Sequence, residues 1–444
     1  MELTPLVMLI VFLITIGLII WGKYDRTVVG LLGVVIMVVL GKIDEWQAFM
    51  FVDWNVIAIL FSIWIIASYL SETGVPQYLA IAILKLSRNN VAVFLTLIGV
   101  IAGLVSMFVD NVVVILMFAP VVFHVTNKLK LPSFPFLIFV GLCANFMGTA
   151  LLMGDLPPQM LHSVSGIEFT QFIWQMGRPS SFILLTISYL GTVAFMYQFR
   201  FRKMFAPADA ATVSIIAAEN PTAYLKKRSY VAVVLGLFLA TIIGMSLRQV
   251  IGHQLGFIAL IGMVILVLVN EVFIKKLEGP TFEDVLKDLD WRALLFYILL
   301  FVLVGGLNHV GIIKMVADGL APYFQQNLIV GSTILYWVTA LIVGIVEHDA
   351  YILVFLHLIK DLSITTGFSP WPMWWALVWA GTLGSNLTIA GAPALFCAQS
   401  LGEREDGCKI RLKQFLSYSV PFVVISLVIQ YVLTMIVWVI PYAR

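Results

Sequence analysis

The sequence predicts an all-α polytopic membrane protein, an inverted-topology repeat of about ten transmembrane helices plus two re-entrant helical hairpins. Three observations carry this. The 444 residues are 61% hydrophobic and only 11% charged, whereas soluble domains carry about 25% charge. The apolar runs come in helix-length pieces separated by polar breaks. The two halves match each other at one spacing, 237 residues.

A helix needs about 20 apolar residues to cross about 30 Å of hydrocarbon. Ten runs meet that need: 4–22, 27–42, 54–71, 134–153, 179–199, 229–247, 255–272, 291–308, 373–391 and 414–440. Two more stretches, 91–127 and 328–363, each divide at an acidic break, Asp110-Asn111 and Glu347-His348-Asp349. Paired short pieces with a polar tip read as re-entrant hairpins. The first 22 residues lack a basic n-region and a small-residue cleavage site, so they read as a span and not as a cleaved signal. The segment 75–90 is amphipathic and is expected to lie along the inner interface. Trp371, Trp374, Trp375 and Trp379 are expected to form an outer aromatic belt.

Charge sets the orientation. With the N- and C-termini outside, all but Lys42, Arg178, Arg248, Lys314, Lys360 and Arg444 of the 26 Lys and Arg fall inside. The linker 200–228 is then cytoplasmic. It divides a first transmembrane repeat, 1–199, from a second, inverted one, 229–444. A net charge of +2 leaves no nucleic-acid footprint.

The match between halves rests on polar and glycine positions. VDWNVIAILFSIWIIASYLSETGV (52–75) aligns without a gap on LDWRALLFYILLFVLVGGLNHVGI (289–312). The same spacing places Asp110 on Glu347 and Gly154 on Gly391. The equivalent helices are predicted to run in opposite directions, the common plan of secondary transporters, whose sites lie where broken helices meet near the midplane.

Ionisable groups within the hydrocarbon are functional candidates by default. Asp110 and Glu347 are read as proton carriers, since a carboxyl group in low dielectric can exchange its proton near working pH. His348 and Asp349 can join such a relay, although three consecutive helical residues cannot share one face. Asp155 is placed near the outer end of its span, where solvation would also explain it. Gly148, Gly154, Pro157 and Pro158 interrupt one helix, and Gly381, Gly384, Gly391 and Pro393 another. Beside them Asn145, Thr149, Ser385, Asn386 and Thr388 offer neutral polar groups for a small solute or a dehydrated ion. Small residues also serve ordinary helix packing.

Other chemistry lacks a motif. No HExxH, GxSxG, Walker A or GxGxxG stands in a suitable context, so no enzymatic activity, metal site or cofactor is expected. Cys143 and Cys397 could be soft ligands for a metalloid, or simply small apolar residues. Cys408 completes the three cysteines.

The run FVDNVVVILMFAPVV, followed by ANFMGTALLMGDLPPQML, resembles the first-half signature of the ArsB/NhaD/P-protein group of the ion transporter superfamily. WAGTLGSNLTIAGAPALF resembles that group's second-half stretch. The resemblance implies an inverted repeat with two hairpins. It carries site roles onto Asp110, Asn111, Asn145, Gly148, Thr149, Gly154, Asp155 and Pro157, then onto Ser385, Asn386, Thr388 and Gly391. The sequence departs from the group at Glu347-His348-Asp349, where Asn-Asn or Asp-Asn is usual, and at GDLPP. Within the group, arsenite/antimonite efflux against protons ranks first. Sodium/proton exchange and sodium-coupled dicarboxylate transport follow, and a passive channel is the alternative from another class. The implied partners are a small inorganic solute, protons and the bilayer of the inner membrane. The resemblance also allows a cytoplasmic ATPase, docking on 200–228 or 402–413, and is compatible with a homo-oligomer.

Overall fold

The computed structural model describes residues 3–21, 23–40, 43–87, 90–204, 220–273, 278–287, 289–345, 348–389 and 391–443. The first half contains α1 (Leu3–Trp21), α2 (Arg26–Val39), α3 (Glu45–Phe51), α4 (Trp54–Glu72), α5 (Val75–Leu86), α6 (Val91–Ser106), α7 (Asn111–Leu129), α8 (Phe134–Gly148), α9 (Leu156–Ser165) and α10 (Ser181–Met196). The second contains α11 (Arg228–Ser246), α12 (Leu255–Val272), α13 (Phe282–Lys287), α14 (Trp291–His309), α15 (Ile312–Gln326), α16 (Leu328–Val343), α17 (His348–Thr366), α18 (Trp371–Ser385), α19 (Pro393–Asp406) and α20 (Leu412–Thr434). A two-residue β-hairpin, Trp174–Gln175 with Arg178–Pro179, precedes α10.

The repeat is visible in the helix boundaries. The pairs α3/α13, α4/α14, α5/α15, α6/α16, α7/α17, α8/α18 and α9/α19 each begin 237 residues apart. Local chemistry repeats with them. Asp53 caps α4 by accepting from the Asn55 and Val56 N–H groups, and Asp290 caps α14 through Ala293 N–H. The Trp54 indole donates to Phe49 O at 3.0 Å, and that of Trp291 to Leu286 O at 2.9 Å. Gly74 and Gly311 both turn the chain with positive φ, 78° and 75°. Each half therefore encodes the same local structure.

The halves are inverted. Asp25 pairs with Arg292, and Thr27 Oγ1 donates to Arg292 O at 3.0 Å, so α2 and α14 start at the same face. The far end of α14 packs beside Met37, Ile43 and Phe51, on the approach to α4. Hence α4 starts where α2 ends, and α4 and α14 run in opposite directions. We call the face of Asp25 and Arg292 the basic face.

The two polar-tipped stretches are hairpins opening to opposite faces. The outer end of α7 lies by Tyr224 and Glu405, at the basic face. That of α17 lies by Asp318 and Val164, at the other. Their tips meet near one side chain, Asp155, described below.

Among the described residues, seven helices are individually long and apolar enough to cross a membrane. The helices α8 and α18 are 15 residues each, about 22 Å, short of the hydrocarbon thickness because both are broken. Every residue of α8 is buried, as is every residue of α18 after Trp371. This central pair is apolar all round, as a helix enclosed on every side should be. Around it, α2, α11 and α12 expose large apolar side chains such as Val28, Leu239 and Phe257. That much exposed apolar surface belongs in lipid. The protein is a polytopic integral membrane protein.

The tryptophan cluster corrects an expectation. Trp374, Trp375 and Trp379 are buried and do not face lipid. Their indoles donate to Leu356 O at 3.1 Å, Gln175 Oε1 at 2.9 Å and Ser181 Oγ at 2.9 Å. Trp375 and Trp379 stack at 5.0 Å. Tertiary packing on the start of α10 claimed residues that composition assigned to the interface.

Candidate functional site

The site forms where α8 and α18 break. Both helices stop because a glycine passes too close for any other residue. A Cβ on Gly154 would stand 2.2 Å from Ser106 O, and one on Gly391 would stand 2.2 Å from Ser385 O. Each crossing lets the chain double back and start a new helix, α9 or α19, pointing its N-terminus inward.

Asn145 is the hub. Its Nδ2 donates towards Thr382 O at 3.3 Å, Ser385 Oγ at 3.0 Å and Asn386 Oδ1 at 3.1 Å. Its Oδ1 accepts from Asn111 Nδ2 at 3.0 Å. Thr149 Oγ1 lies 2.7 Å from Thr382 Oγ1. Amides and hydroxyls from both repeats are thus tied into one network, buried throughout. Thr382 was not among the expected residues. The repeat signals it, because it stands 237 positions after Asn145.

The ionisable groups adjoin this network. Asp155 Oδ1 caps α9 by accepting from Leu156 N–H at 2.9 Å, while Oδ2 accepts from Asn111 Nδ2 at 3.1 Å. Asp155 is 5% exposed, so it is central and not solvated, unlike its expected place. His348 Nδ1 lies 3.0 Å from Gly391 O and must carry the proton, since a carbonyl only accepts. Its Nε2 lies 3.4 Å from Asp349 Oδ1 and 4.0 Å from Asp155 Oδ2. The two hairpin tips, Asn111 and His348, therefore meet at Asp155. They occupy equivalent positions in the two repeats.

Other expected residues lie elsewhere. Asp110 accepts from Val112 and Val113 N–H groups and lines a small cavity with Trp64, Ser68 and Asp290, apart from the amide network. Glu347 lies outside the described residues. Thr388 Oγ1 donates to Gly344 O at 2.6 Å and so braces the second hairpin tip. Gly148 contributes backbone beside Asp155. Cys143 is buried against Gly99, away from the network. Cys397 lines a cavity of about 780 Å³ that reaches Tyr24, Asp25 and Arg292 at the basic face. In the 402–413 segment Asp406 accepts from Ser133 and Phe134 N–H groups and Glu405 from Asn127, while Arg404, Lys409, Arg411 and Lys413 stay exposed. Among the described residues, no group of three His, Cys, Asp or Glu is arranged to hold a metal ion.

Comparison with known proteins fits this geometry. The family model described as "Citrate transporter" matches residues 16–380. The chain belongs to that family. It lies within the ion transporter superfamily to which the motifs pointed. An uncharacterized transporter of Mycobacterium tuberculosis is 28% identical over 391 residues, 86% of this chain and 87% of the relative. The human P protein is 23% identical, covering 92% of this chain and 57% of the relative. The crystal structure of the Alcanivorax borkumensis YdaH transporter, described as having an unusual topology, covers 98% of both chains at a TM-score of 0.58 and 13% identity. That likeness is one of fold. Members of this citrate transporter family are membrane transporters by description, and this chain is a membrane transporter. The family description names citrate, where the motif resemblance favoured the arsenite branch.

Proposed function

We propose that this transporter is secondary-active and exports a small solute against protons. The observation that carries the reading is the meeting of Asp155, His348 and Asp349 beside the Asn145 amide–hydroxyl network. A proton taken up at His348 Nε2 would sit between two carboxylates. A solute or cation held by those carboxylates would compete for the same place. Proton and cargo then exclude each other, which is the requirement for exchange. Broken helices at matched repeat positions support transport over a static scaffold.

The network offers amides, hydroxyls and carboxylates, and none of the described residues that form it is Lys or Arg. That donor set suits neutral, hydroxylated arsenous acid first and sodium second. A second reading, citrate, is favoured by the family match; the inward-pointing N-termini of α7, α9, α17 and α19 would then hold its carboxylates. The positive-inside bias favours a cytoplasmic position for the basic face.

The test uses everted vesicles with an imposed proton gradient, presented separately with arsenite, sodium and citrate. Gradient-dependent arsenite accumulation, lost in Asp155→Asn and His348→Gln, supports the first reading. Citrate uptake without arsenite uptake supports the second. Transport of any cargo that ignores the gradient refutes proton exchange.

A further inference from the structure

The two repeats share a fold but not a state. At the face opposite the basic one, α9 is joined to α4 by a polar bridge. His162 Nε2 lies 3.3 Å from Asn55 Nδ2. At the basic face the equivalent helices α19 and α14 share the walls of the 780 Å³ cavity, lined by Pro393, Phe396 and Cys397 from one and by Arg292 from the other. The equivalents of Asn55 and His162 are Arg292 and Gln399, and each bonds elsewhere, to Asp25 and to Glu403. One end of the pseudo-twofold is bridged and the other holds a cavity.

We propose that Asn55 and His162 form a latch that holds the non-basic face closed, and that protonation of His162 releases it. The proposal rests on the transport reading above. Both partners are held in one orientation. His162 Nδ1 lies 2.6 Å from Ile167 O and so carries the ring proton, which leaves Nε2 as the acceptor for Asn55 Nδ2. Asn55 cannot turn to compensate, because its Oδ1 accepts from Gly256 N–H at 2.8 Å. A proton on Nε2 would set donor against donor in a part-buried contact. Release would free α9 from α4 and let α19 close on α14, shutting the cavity at the basic face. The helices α4, α17 and α18 pack on α9. Their ionisable groups nearby are Asp53 at the start of α4, and His348, Asp349, His357, Lys360 and Asp361 on α17; α18 has none. Lys360 is engaged with Val164 O at 3.3 Å.

The cavity provides its own reporter. Cys397 lines it, and Cys408, which is exposed, can be removed as Cys408→Ser. Maleimide labelling of Cys397 is measured in proteoliposomes from pH 8 to pH 5.5, with and without His162→Gln. The ratio of the two rates cancels the reagent's own pH dependence. Labelling with the native His162 should fall relative to the Gln variant as pH drops, by between about twofold and tenfold, the weight of one hydrogen bond. Cross-linking Asn55→Cys to His162→Cys should keep Cys397 reactive at every pH. A ratio that stays flat, or a cross-linked protein whose cavity still closes on acidification, overturns the latch. Labelling needs no cargo, so a failed cargo assay and a failed latch are told apart.

Discussion

Alanine at Gly154 is the sharpest perturbation the fold offers. The new Cβ would stand 2.2 Å from Ser106 O and 2.5 Å from Gly148 O, where real Cβ atoms do not come within 3.0 Å. Both obstacles are backbone, so no rotamer change relieves them. The α6 end or the Gly154 turn must retreat by about 0.8 Å to restore a closest approach of 3.0 Å. Overpacking of well-packed sites costs about 1–3 kcal/mol, and a backbone clash belongs at the top of that range. At an unfolding entropy of about 2.1 cal/mol/K per residue over 444 residues, the melting temperature should fall by about 3 °C. The repeat supplies an internal replicate, because Gly391→Ala meets Ser385 O at 2.2 Å and Val343 O at 2.8 Å. It also supplies a control in Gly236, a helical glycine with open space around it. There Ala should be neutral or stabilising by up to about 1 kcal/mol. Thermal melting of detergent-solubilised protein, followed by fluorescence-detected size exclusion, reads all three. If Gly154→Ala melted with the parent protein, the close crossing that defines the broken helix would be wrong.

Three further outcomes follow from the same geometry. Asn145→Ala should orphan Asn386 Oδ1, while Asn111 keeps Asp155 and Ser385 keeps Thr382 O, at a cost of about 1–3 kcal/mol; a double-mutant cycle with Asn386→Ala should show coupling near 0.6 and below about 1.7 kcal/mol. Asp53→Ala and Asp290→Ala should each lose about 1 kcal/mol of stability by removing an N-cap, and equal melting shifts are the signature of equivalent positions. Trp375→Phe keeps the stack on Trp379 but leaves buried Gln175 without its donor, so melting should show a loss of about 1–3 kcal/mol. An unchanged melting curve would return Trp375 to a merely apolar role.

Much of the architecture is legible because it is local. Helix length, the broken stretches and the hairpin tips follow from apolar runs and from glycines, prolines and carboxylates set between them. The repeat is legible because seven helix starts keep one spacing, and a shared spacing survives loss of sequence identity. The site is only partly legible. Asn145, Ser385 and Asn386 are found together, yet Asp110, the favoured carrier, turns towards α14, while Asp155, judged peripheral, is central. The reason is rotational: adjacent residues at a helix N-terminus diverge by about 100°, and packing alone decides which of Asp110 and Asn111 faces inward. His162 and Asn55 carried no signal at all, since neither belongs to a motif and they are 107 residues apart.

By itself the sequence determined that this chain lives in a bilayer, that it is built twice in opposite senses, and which two stretches break. Those properties depend on transfer free energy and backbone chemistry, which are read residue by residue. Tertiary structure alone decided which carboxylates lie beside His348, that the tryptophans are buried, and that one face carries the Asn55–His162 bridge while the other holds a cavity. Each of these depends on which elements meet, and an internal symmetry common to both halves cannot by itself say which half is closed.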